Sequence, residues 1–292
     1  MLEVAHLVRR FGGTVAVDDV SFTVAPGALT GFVGGNGAGK TTTMRMIMGV
    51  LALHGGELRW QGRPVTAADR RSFGYMPEER GLYPKQPVFD QLVYLARLRG
   101  QSAADARRRA KELLERFDLG GRAKDKLESL SLGNQQRVQI AAAVIAEPSL
   151  LILDEPFSGL DPAAVDSMAD LLREYADRDV PVLFSSHQLD LVERLCDRLV
   201  ILASGRVVGQ GSVDELRSTG STRYRLSLGG DPGWVHAFAG VRVLQTNGSS
   251  VLLELDGATT EALLGEALAR GPVRELAEVR PSVSEIYREV TA

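Results

Sequence analysis

The chain has 292 residues, of which 44% are hydrophobic and 24% charged. This composition excludes a disordered or fibrous protein and allows one large domain with an appendage. A net charge of -3 gives no overall attraction to DNA or RNA, so we expect no nucleic-acid partner. The single cysteine, Cys196, excludes an internal disulfide and is expected to be a small buried packing residue.

Neither a signal peptide nor a membrane-spanning segment is predicted. Residues 1–6 lack a basic stretch followed by an apolar one. The longest apolar runs, such as residues 140–146, are much shorter than the roughly 18 residues needed to cross a bilayer. We therefore expect a cytoplasmic protein, or one that is held at a membrane by another molecule.

The first elements of the chain predict a phosphate-binding loop. Residues 2–8 and 20–24 alternate between apolar and polar side chains, which predicts strands of an antiparallel flap. Residues 29–33 indicate a buried strand, and residues 42–48 indicate a helix. Between these two elements, residues 34–41 match the pattern G-x-x-x-x-G-K-[ST] in the strand, loop and helix order that the motif requires.

The chemistry of this loop suits a nucleoside triphosphate. Its glycines let successive backbone N–H groups point inward, and the following helix adds partial positive charge at its N-terminus. Lys40 is expected to reach the β- and γ-phosphate oxygens, and the Thr41 hydroxyl to bind Mg²⁺. The alternative, a glycine-rich turn without a ligand, is disfavoured because both flanking elements fit. The residues assigned to the phosphates are Gly34, Asn36, Gly37, Ala38, Gly39, Lys40, Thr41 and Thr42.

An exposed connection and a helical insert follow the loop. Residues 73–84 combine prolines, glycines, aromatics and charges, which is typical of a connection that contacts another molecule. A helical insert is predicted from about Val88 to Pro148. One of its helices is expected to end at Gly120-Gly121, and a second to begin at residues 131–134 and run to Ala146. The apolar face of the first helix consists of Ala106, Ala110, Leu113, Leu114 and Phe117.

Two acidic residues end a buried strand. Residues 150–153 are wholly apolar and are followed directly by Asp154 and Glu155. Asp154, at the carboxyl end of a central strand, is placed to hold Mg²⁺ through water. Glu155, which points the other way, is a candidate general base for an attacking water molecule. The competing role, capping of the next helix, fits Asp161 better.

A histidine follows the next buried strand. Residues 180–184 predict that strand, and Ser185-Ser186-His187 come directly after it. The carboxyl ends of parallel strands form the ligand side of such a sheet, so we expect His187 to contact the γ-phosphate. The competing interpretation is a structural histidine.

Residues 219–292 have a pattern of predicted strands and helices that is separate from the phosphate-binding part of the chain. Residues 224–228 alternate, and Asn247-Gly248 predicts a hairpin. Residues 259–269 and 282–290 predict helices. This pattern indicates a small α+β unit without a catalytic constellation, and we expect it to have a regulatory or docking role.

With these residues identified, the chain resembles the ATP-binding subunit of an ABC transporter over residues 1–218. Further motifs follow the phosphate loop in the family's order. They are the signature segment Leu130-Ser131-Leu132-Gly133-Asn134, the acidic pair Asp154-Glu155, the turn Ser158-Gly159-Leu160-Asp161 and the switch histidine His187. The signature segment makes the resemblance specific, because a phosphate loop alone fits kinases and GTPases equally well.

The resemblance implies an α/β fold with a P-loop NTPase core, an N-terminal antiparallel β flap, an inserted helical subdomain and a small C-terminal α+β domain. It also implies that the cofactors are ATP and Mg²⁺. Ser131, Gly133 and Asn134 would contact the γ-phosphate held by a second ATP-binding subunit, so that a homodimer encloses two ATP molecules. Phe11 falls where the family places its adenine-stacking aromatic, although an aromatic beside a turn can also simply be packed. Asp161 joins this nucleotide site through its turn.

Some positions depart from the family pattern. Gly35 stands where many members have proline, and the signature segment has Leu132 and Asn134 where glycine and glutamine are commoner. Glu78 stands where the family usually has a glutamine that binds Mg²⁺ and contacts the membrane subunit. A carboxylate can also bind Mg²⁺, but it adds negative charge beside the γ-phosphate. The implied metal ligands are Thr41, Glu78 and Asp154.

The resulting hypothesis is an ATPase subunit that lies on the inner face of the cell membrane and drives transport through a separate transmembrane permease. Residues 77–84, the signature variant and the C-terminal unit resemble the bacterial sodium-extrusion and drug-export subfamily, which implies export. Glu155 is the expected base and His187 the expected γ-phosphate sensor. One alternative is a soluble ABC-type ATPase acting on ribosomes or DNA, although the chain has neither a second such domain nor a long coiled coil. Another is a scaffold without hydrolysis, which is disfavoured because every expected catalytic residue is present.

Overall fold

The computed structural model describes residues 1–79, 81–218 and 222–291, which form two compact units. The first unit is Met1–Ser212 and the second is Val213–Val290. The sequence pattern places the boundary between the units after residue 218, whereas the structure places it after Ser212, before the helix Val213–Ser218. Within the described residues, no helix is both long and apolar enough to span a bilayer.

The first unit contains ten strands and seven α-helices among its described residues. Its strands are β1 (Leu2–Phe11), β2 (Thr14–Val24), β3 (Leu29–Gly34), β4 (Gly55–Trp60), β5 (Arg63–Pro64), β6 (Phe73–Met76), β7 (Leu150–Leu153), β8 (Val182–Ser186), β9 (Arg198–Ala203) and β10 (Arg206–Ser212). Its helices are α1 (Lys40–Ile47), α2 (Ala67–Ser72), α3 (Val88–Leu98), α4 (Ala103–Arg116), α5 (Leu132–Val144), α6 (Pro162–Ala176) and α7 (Leu189–Leu195).

A six-stranded sheet forms the centre of the first unit, with the order β10-β9-β3-β8-β7-β6. Strands β9, β3, β8, β7 and β6 run parallel, and every residue of β3, β7 and β8 is buried. Continuous apolar runs suit strands that are covered on both faces. The carboxyl ends of β3, β7 and β8 therefore meet at one edge of the sheet, where ligands bind in open α/β folds.

The predicted flap is confirmed as a four-stranded antiparallel sheet with the order β2-β1-β4-β5. Its apolar side packs on the central sheet: Leu2 and Phe22 of the flap belong to the same buried cluster as Phe32 and Ile152 of the core. The ring centroids of Phe22 and Phe32 are 5.0 Å apart. This packing fixes the flap beside the edge where β3 ends.

The helical insert is present, but both predicted helices end earlier than expected: α5 ends at Val144 and not at Ala146. All five residues predicted for the apolar face of α4 are buried. The helix, however, ends at Arg116 and does not reach Gly120-Gly121, which lie in a 3-10 turn at Gly120–Arg122. The chain already turns at Asp118, which adopts a left-handed conformation with φ of 57° that aspartate tolerates better than most residues.

Cys196 is buried, as predicted. A Cβ added at Gly31 of β3 would lie 2.7 Å from its Sγ, so the thiol fills space directly against the strand. Burial, followed by the nearby Asp197 carboxylate, raises the pKa of the Cys196 thiol above its usual range. The residue is therefore an unreactive packing group.

The second unit contains α8 (Val213–Ser218), β11 (Arg223–Leu228), β12 (Val241–Asn247), β13 (Ser250–Leu255), α9 (Thr260–Arg270), β14 (Val273–Val279) and α10 (Val283–Thr291). The strands form an antiparallel sheet with the order β12-β13-β11-β14. The hairpin at Asn247-Gly248 and both helices are confirmed. Strand β14 was not predicted, because its apolar residues Val273, Leu276 and Val279 recur every three positions, which is not the alternation typical of a strand.

A charged network lies on one face of this sheet. Glu254 of β13 is buried and pairs with Arg223 of β11 and Arg242 of β12, and Arg223 also pairs with Glu289 of α10. Adjacent strands carry these groups at paired positions, since Arg223 and Arg242 both oppose Glu254. The network thus joins three strands and a helix of the second unit.

We expect Glu254→Gln to destabilise the second unit by roughly 2 kcal/mol, because the arginines lose a charged hydrogen-bond acceptor. The two tryptophans, Trp60 and Trp234, lie in different units, so urea unfolding of the full chain followed by Trp234 fluorescence in a Trp60→Phe background measures the effect. Glu275→Gln, an exposed change on the same sheet, is the matched control. An equally small shift for both variants contradicts a stabilising role for the network.

Candidate functional site

The loop at residues 34–41 joins β3 to α1 and requires glycine at specific positions. Gly39 has φ of 104° and occupies the N-cap of α1. A Cβ at Gly39 would lie 2.7 Å from the carbonyl oxygen of Ala16, and one at Gly34 would lie 2.6 Å from that of Leu202. The strands that contain Ala16 and Leu202, β2 and β9, thus approach the loop so closely that only glycine fits at these two positions without rearrangement. Helix α1 begins at Lys40, two residues before the predicted start at 42.

Lys40 is buried against the loop. Only 8% of the residue is exposed, and its Nζ donates to the carbonyl oxygens of Gly34 at 2.7 Å and Gly35 at 3.3 Å. The ammonium group is therefore held at the N-terminus of α1, where the helix dipole also favours an anion. The arrangement gathers positive charge in one small volume.

A cleft of about 410 Å³ opens above the loop. It brings together the flap, the loop and the ends of two further segments of the chain. Its lining residues are Phe11, Ala16, Gly35, Asn36, Gly37, Ala38, Gly39, Lys40, Thr41, Thr42, Glu78, Asp154 and Glu155. Most of the residues predicted to bind the phosphates and the metal therefore line one cleft.

Phe11 reaches this cleft from the tip of the flap. It pairs with Thr14 across the tight turn Gly12-Gly13 that joins β1 to β2. The residue is 46% exposed, and the guanidinium carbon of Arg9 lies 4.7 Å from the ring centroid. The Phe11 ring contacts the Arg9 guanidinium and is open to the cleft, so it is suited to stack on a planar base.

Oxygen atoms that could bind a metal ion converge beside the loop. Asp154 is 0% exposed, and its Oδ1 accepts a hydrogen bond of 2.6 Å from Ser185 Oγ. Within the described residues its Oδ2 is buried without a partner. Thr41 Oγ1 donates to Glu78 Oε2 at 3.4 Å. An orphaned carboxylate oxygen that lines the same cleft as a hydroxyl and a second carboxylate fits Mg²⁺, which takes few protein ligands when phosphates are present.

The described residues contain no group of three or more His, Cys, Asp or Glu that could hold a metal ion by themselves. Tyr75, in β6, faces the same region: burial, followed by the Asp154 carboxylate, raises the pKa of its hydroxyl. The tyrosine thus stays neutral and adds no charge beside Asp154.

Glu155 is held by its backbone and by its carboxylate. Its φ of 52° is unusual for a residue with a side chain and costs on the order of 1 kcal/mol or more. Its N–H donates to Ser185 Oγ at 2.8 Å, and its Oε2 lies 2.9 Å from Nδ1 of His187. Because Ser185 also donates to Asp154, one buried hydroxyl orients both acids.

A second cavity of about 510 Å³ adjoins the end of the loop. It is lined by Gly35, Asn36, Glu78, Gln136, Glu155, Ser158 and His187. The carboxylate of Glu155 and the ring of His187 therefore face the space beyond the phosphate loop. A carboxylate in this position can accept a proton from a water molecule, which is general-base chemistry.

Four predicted residues lie elsewhere. Ser131 caps α5 and accepts a bond of 3.4 Å from the N–H of Asn134. Asp161 caps α6 and accepts a bond of 2.8 Å from the N–H of Ala164. In the described part of the chain, neither cavity at the loop is lined by Ser131, Gly133, Asn134 or Asp161. The structure therefore does not bring the signature segment to the phosphate loop of the same chain.

Two residues at the site were missed by the sequence analysis. The sequence pattern places Ser185 after a strand at residues 180–184, whereas Ser185 lies within β8 and orients both acids. A polar residue next to the buried apolar run 182–184 was an available signal, because such a group needs a partner. Gln136, which lines the second cavity, carried no comparable signal, since a glutamine on a helix is usually solvated.

Comparisons with known proteins agree with these motifs. The sequence profile of the family described as "ABC transporter" matches residues 17–158. A second profile, described as "ATP-binding protein DrrA1-3-like, C-terminal domain", matches residues 211–291.

Individual proteins match over longer stretches. The "Uncharacterized ABC transporter ATP-binding protein YhaQ" of Bacillus subtilis (strain 168) is 39% identical over 291 residues, covering 99% of this chain and 98% of that protein. The "Daunorubicin/doxorubicin resistance ATP-binding protein DrrA" of Streptomyces peucetius is 37% identical over 231 residues, covering 78% and 70%. A solved structure described as "Structure of ATP binding subunit of ABC transporter" has a TM-score of 0.70 and 35% identity, covering 75% of this chain and 92% of that one.

Proposed function

This chain belongs to the family of ABC transporter ATP-binding subunits, which hydrolyse ATP, and we propose that two copies share two ATP sites and drive export through a separate transmembrane permease. The observation that carries the proposal is the division of the site. The phosphate loop, Asp154 and Glu155 line one cleft. The signature residues Ser131, Gly133 and Asn134 do not line it. A second subunit can supply what this cleft lacks.

Residues of the cleft and of the second cavity have defined tasks in this proposal. Lys40 and the loop N–H groups hold the phosphates, and Phe11 stacks on the adenine. Glu155 accepts a proton from the attacking water, and His187 fixes the carboxylate and contacts the γ-phosphate. Positioning and electrostatic stabilisation then supply most of the rate, as in phosphoryl transfer generally.

Mg²⁺ has a defined set of ligands in the same proposal. Thr41, Glu78 and Asp154 would hold the ion, with Ser185 orienting Asp154. Mg²⁺ bound there would neutralise charge on the phosphates. The buried, unpartnered Oδ2 of Asp154 supports this assignment, because such an atom is costly without a ligand.

The C-terminal unit and the names of related proteins support export. The profile that matches residues 211–291 is described as DrrA1-3-like, and DrrA of Streptomyces peucetius is named for daunorubicin and doxorubicin resistance. We assign ATP chemistry to the first unit and docking or regulation to the second. The chain would act on the inner face of the cell membrane, where it can bind both cytoplasmic ATP and the permease.

Mixing two inactive variants tests whether sites are shared. Lys40→Ala damages the phosphate loop, and Ser131→Arg damages the signature segment, so each homodimer should be inactive. In a mixed dimer one site receives Lys40 from one subunit and Ser131 from the other, and both are intact. Since half of the dimers are mixed and each has one intact site, hydrolysis should recover to on the order of a quarter of the wild-type rate.

The control is a mixture of Lys40→Ala with the double variant Lys40→Ala/Ser131→Arg, which leaves no intact site and should stay inactive. ATP hydrolysis is followed by phosphate release, and circular dichroism checks that each variant is folded. Full activity of Ser131→Arg alone would show that the sites are not shared. So would a mixture that forms dimers but recovers no activity.

A further inference from the structure

Gln136 makes two hydrogen bonds that reach from α5 to the residues after β7. Its side-chain Nε2 donates to the backbone carbonyl oxygens of Glu155 and Pro156, each at 3.1 Å. Both partners can only accept, so the amide must present its NH₂ group to them. Gln136 is half-buried and lies in the first turns of α5, close to Ser131 and Gly133.

These hydrogen bonds hold the backbone of Glu155, which has an unfavourable conformation. Glu155 has φ of 52°, a conformation that persists in a residue with a side chain only when its surroundings hold it. Its N–H and its carboxylate are held by Ser185 and His187, which both belong to the segment at the end of β8. Its carbonyl accepts a hydrogen bond from Gln136, which belongs to α5. The orientation of Glu155 therefore depends on two separate parts of the fold.

The start of α5 is also packed against the loop that follows Glu155. A Cβ at Gly133 would lie 3.3 Å from the carbonyl oxygen of Gly159, and an Arg137 nitrogen lies 3.9 Å from an Asp161 oxygen. Gln136 lines the second cavity together with Glu155 and His187. A displacement of α5 along its axis thus acts directly on the carbonyl of Glu155 through the glutamine.

We propose that Gln136 is a positioning residue that sets the backbone of Glu155 and couples it to the signature segment at the start of α5. The inference rests on the proposed role of Glu155 as the base. In this arrangement, contact of Ser131 and Gly133 with a neighbouring subunit's nucleotide is transmitted within one chain to the carboxylate of its own site. Gln136 itself does not contact the reacting atoms.

The first test is Gln136→Glu, which keeps the size of the side chain but replaces the donating NH₂ group with an acceptor. We expect kcat for ATP hydrolysis to fall roughly 10- to 100-fold, because a small displacement of a catalytic group has an effect of this size. KM for ATP should change less than about twofold, since the residue does not bind the phosphates. Gln136→Met, which cannot donate either but adds no charge, should behave similarly.

Gln139→Met is the matched control. Gln139 lies on the same helix and is buried, and its Oε1 has no hydrogen-bond partner within the described residues. This variant should retain kcat within about twofold. Thermal unfolding of all three variants shows whether any loss of rate follows a loss of structure, and Gln136→Met decides the matter if Gln136→Glu does not fold.

A double-mutant cycle separates positioning from a general structural effect. In a Glu155→Gln background, single-turnover hydrolysis should be unaffected by Gln136→Glu, because the group being positioned is already lost. An equal fall in both backgrounds overturns the inference. So does wild-type kcat in both Gln136 variants while Glu155→Gln is inactive, and that result leaves the proposed function standing. Activity of Glu155→Gln itself removes the proposed base and the inference together.

Discussion

Glu155→Gln is expected to lower ATP turnover roughly 10²- to 10⁴-fold while leaving ATP binding intact. The substitution keeps the shape of the side chain and its place in the second cavity, but an amide cannot take a proton from water. The backbone N–H bond to Ser185 should persist, and so should the Gln136 bonds to the carbonyls. Because ATP stays bound and unhydrolysed, the shared-site dimer should accumulate.

Phosphate release measures the turnover, fluorescent-nucleotide titration measures binding, and light scattering after gel filtration measures the dimer. Glu128→Gln, an exposed acid outside both cavities, is the control and should match the wild type. Turnover at the wild-type rate in Glu155→Gln would contradict the assignment of the base. Loss of ATP binding would indicate a role for Glu155 in the cleft other than proton transfer.

Lys40→Ala is expected to weaken ATP binding about 100-fold and so to remove hydrolysis at ordinary ATP concentrations. The ammonium already donates to two loop carbonyls and lies at the N-terminus of α1, so it needs little rearrangement to meet phosphate oxygens. A hydrogen bond to a charged group contributes about 1.5–3 kcal/mol, and about 1.4 kcal/mol corresponds to a tenfold change in affinity.

Equilibrium titration with a fluorescent ATP analogue gives the Kd of this variant. Lys124→Ala removes an exposed lysine that lies outside the cleft and should leave the Kd unchanged. Since Lys40 is buried, thermal unfolding of the variant must be compared with the wild type. An unchanged Kd in a folded Lys40→Ala protein would contradict the role of the loop as the phosphate site.

Much of the cleft could be predicted because its determinants are local in the sequence. The loop pattern lies between an apolar strand and a helix, and Asp154 and Glu155 follow directly after four apolar residues. The parallel sheet then brings these segments to one edge without further information. Part of the flap was also predictable, since residues 2–8 and 20–24 alternate between apolar and polar side chains.

Other features depend on contacts between distant segments. The role of Ser185 arises because β8 lies next to β7, so that one hydroxyl reaches both acids. Gln136 lies 19 residues before Glu155 in the chain and meets it only because α5 packs against the loop after β7. Strand β14 has a spacing that resembles a helix and is recruited by pairing with β11. Contacts between distant segments determine these three features, and the local sequence pattern does not.

The most direct test of the transport claim is a capture experiment with the tagged Glu155→Gln chain on detergent-solubilised membranes of the source organism. We expect a multi-span membrane protein to be retained when ATP is present. The same chain carrying Lys40→Ala in addition should retain much less of it, because the ATP-bound state does not form. Recovery of only ribosomes, DNA or nothing, while the ATP-bound dimer still forms, would contradict the claim that this ATPase drives a permease.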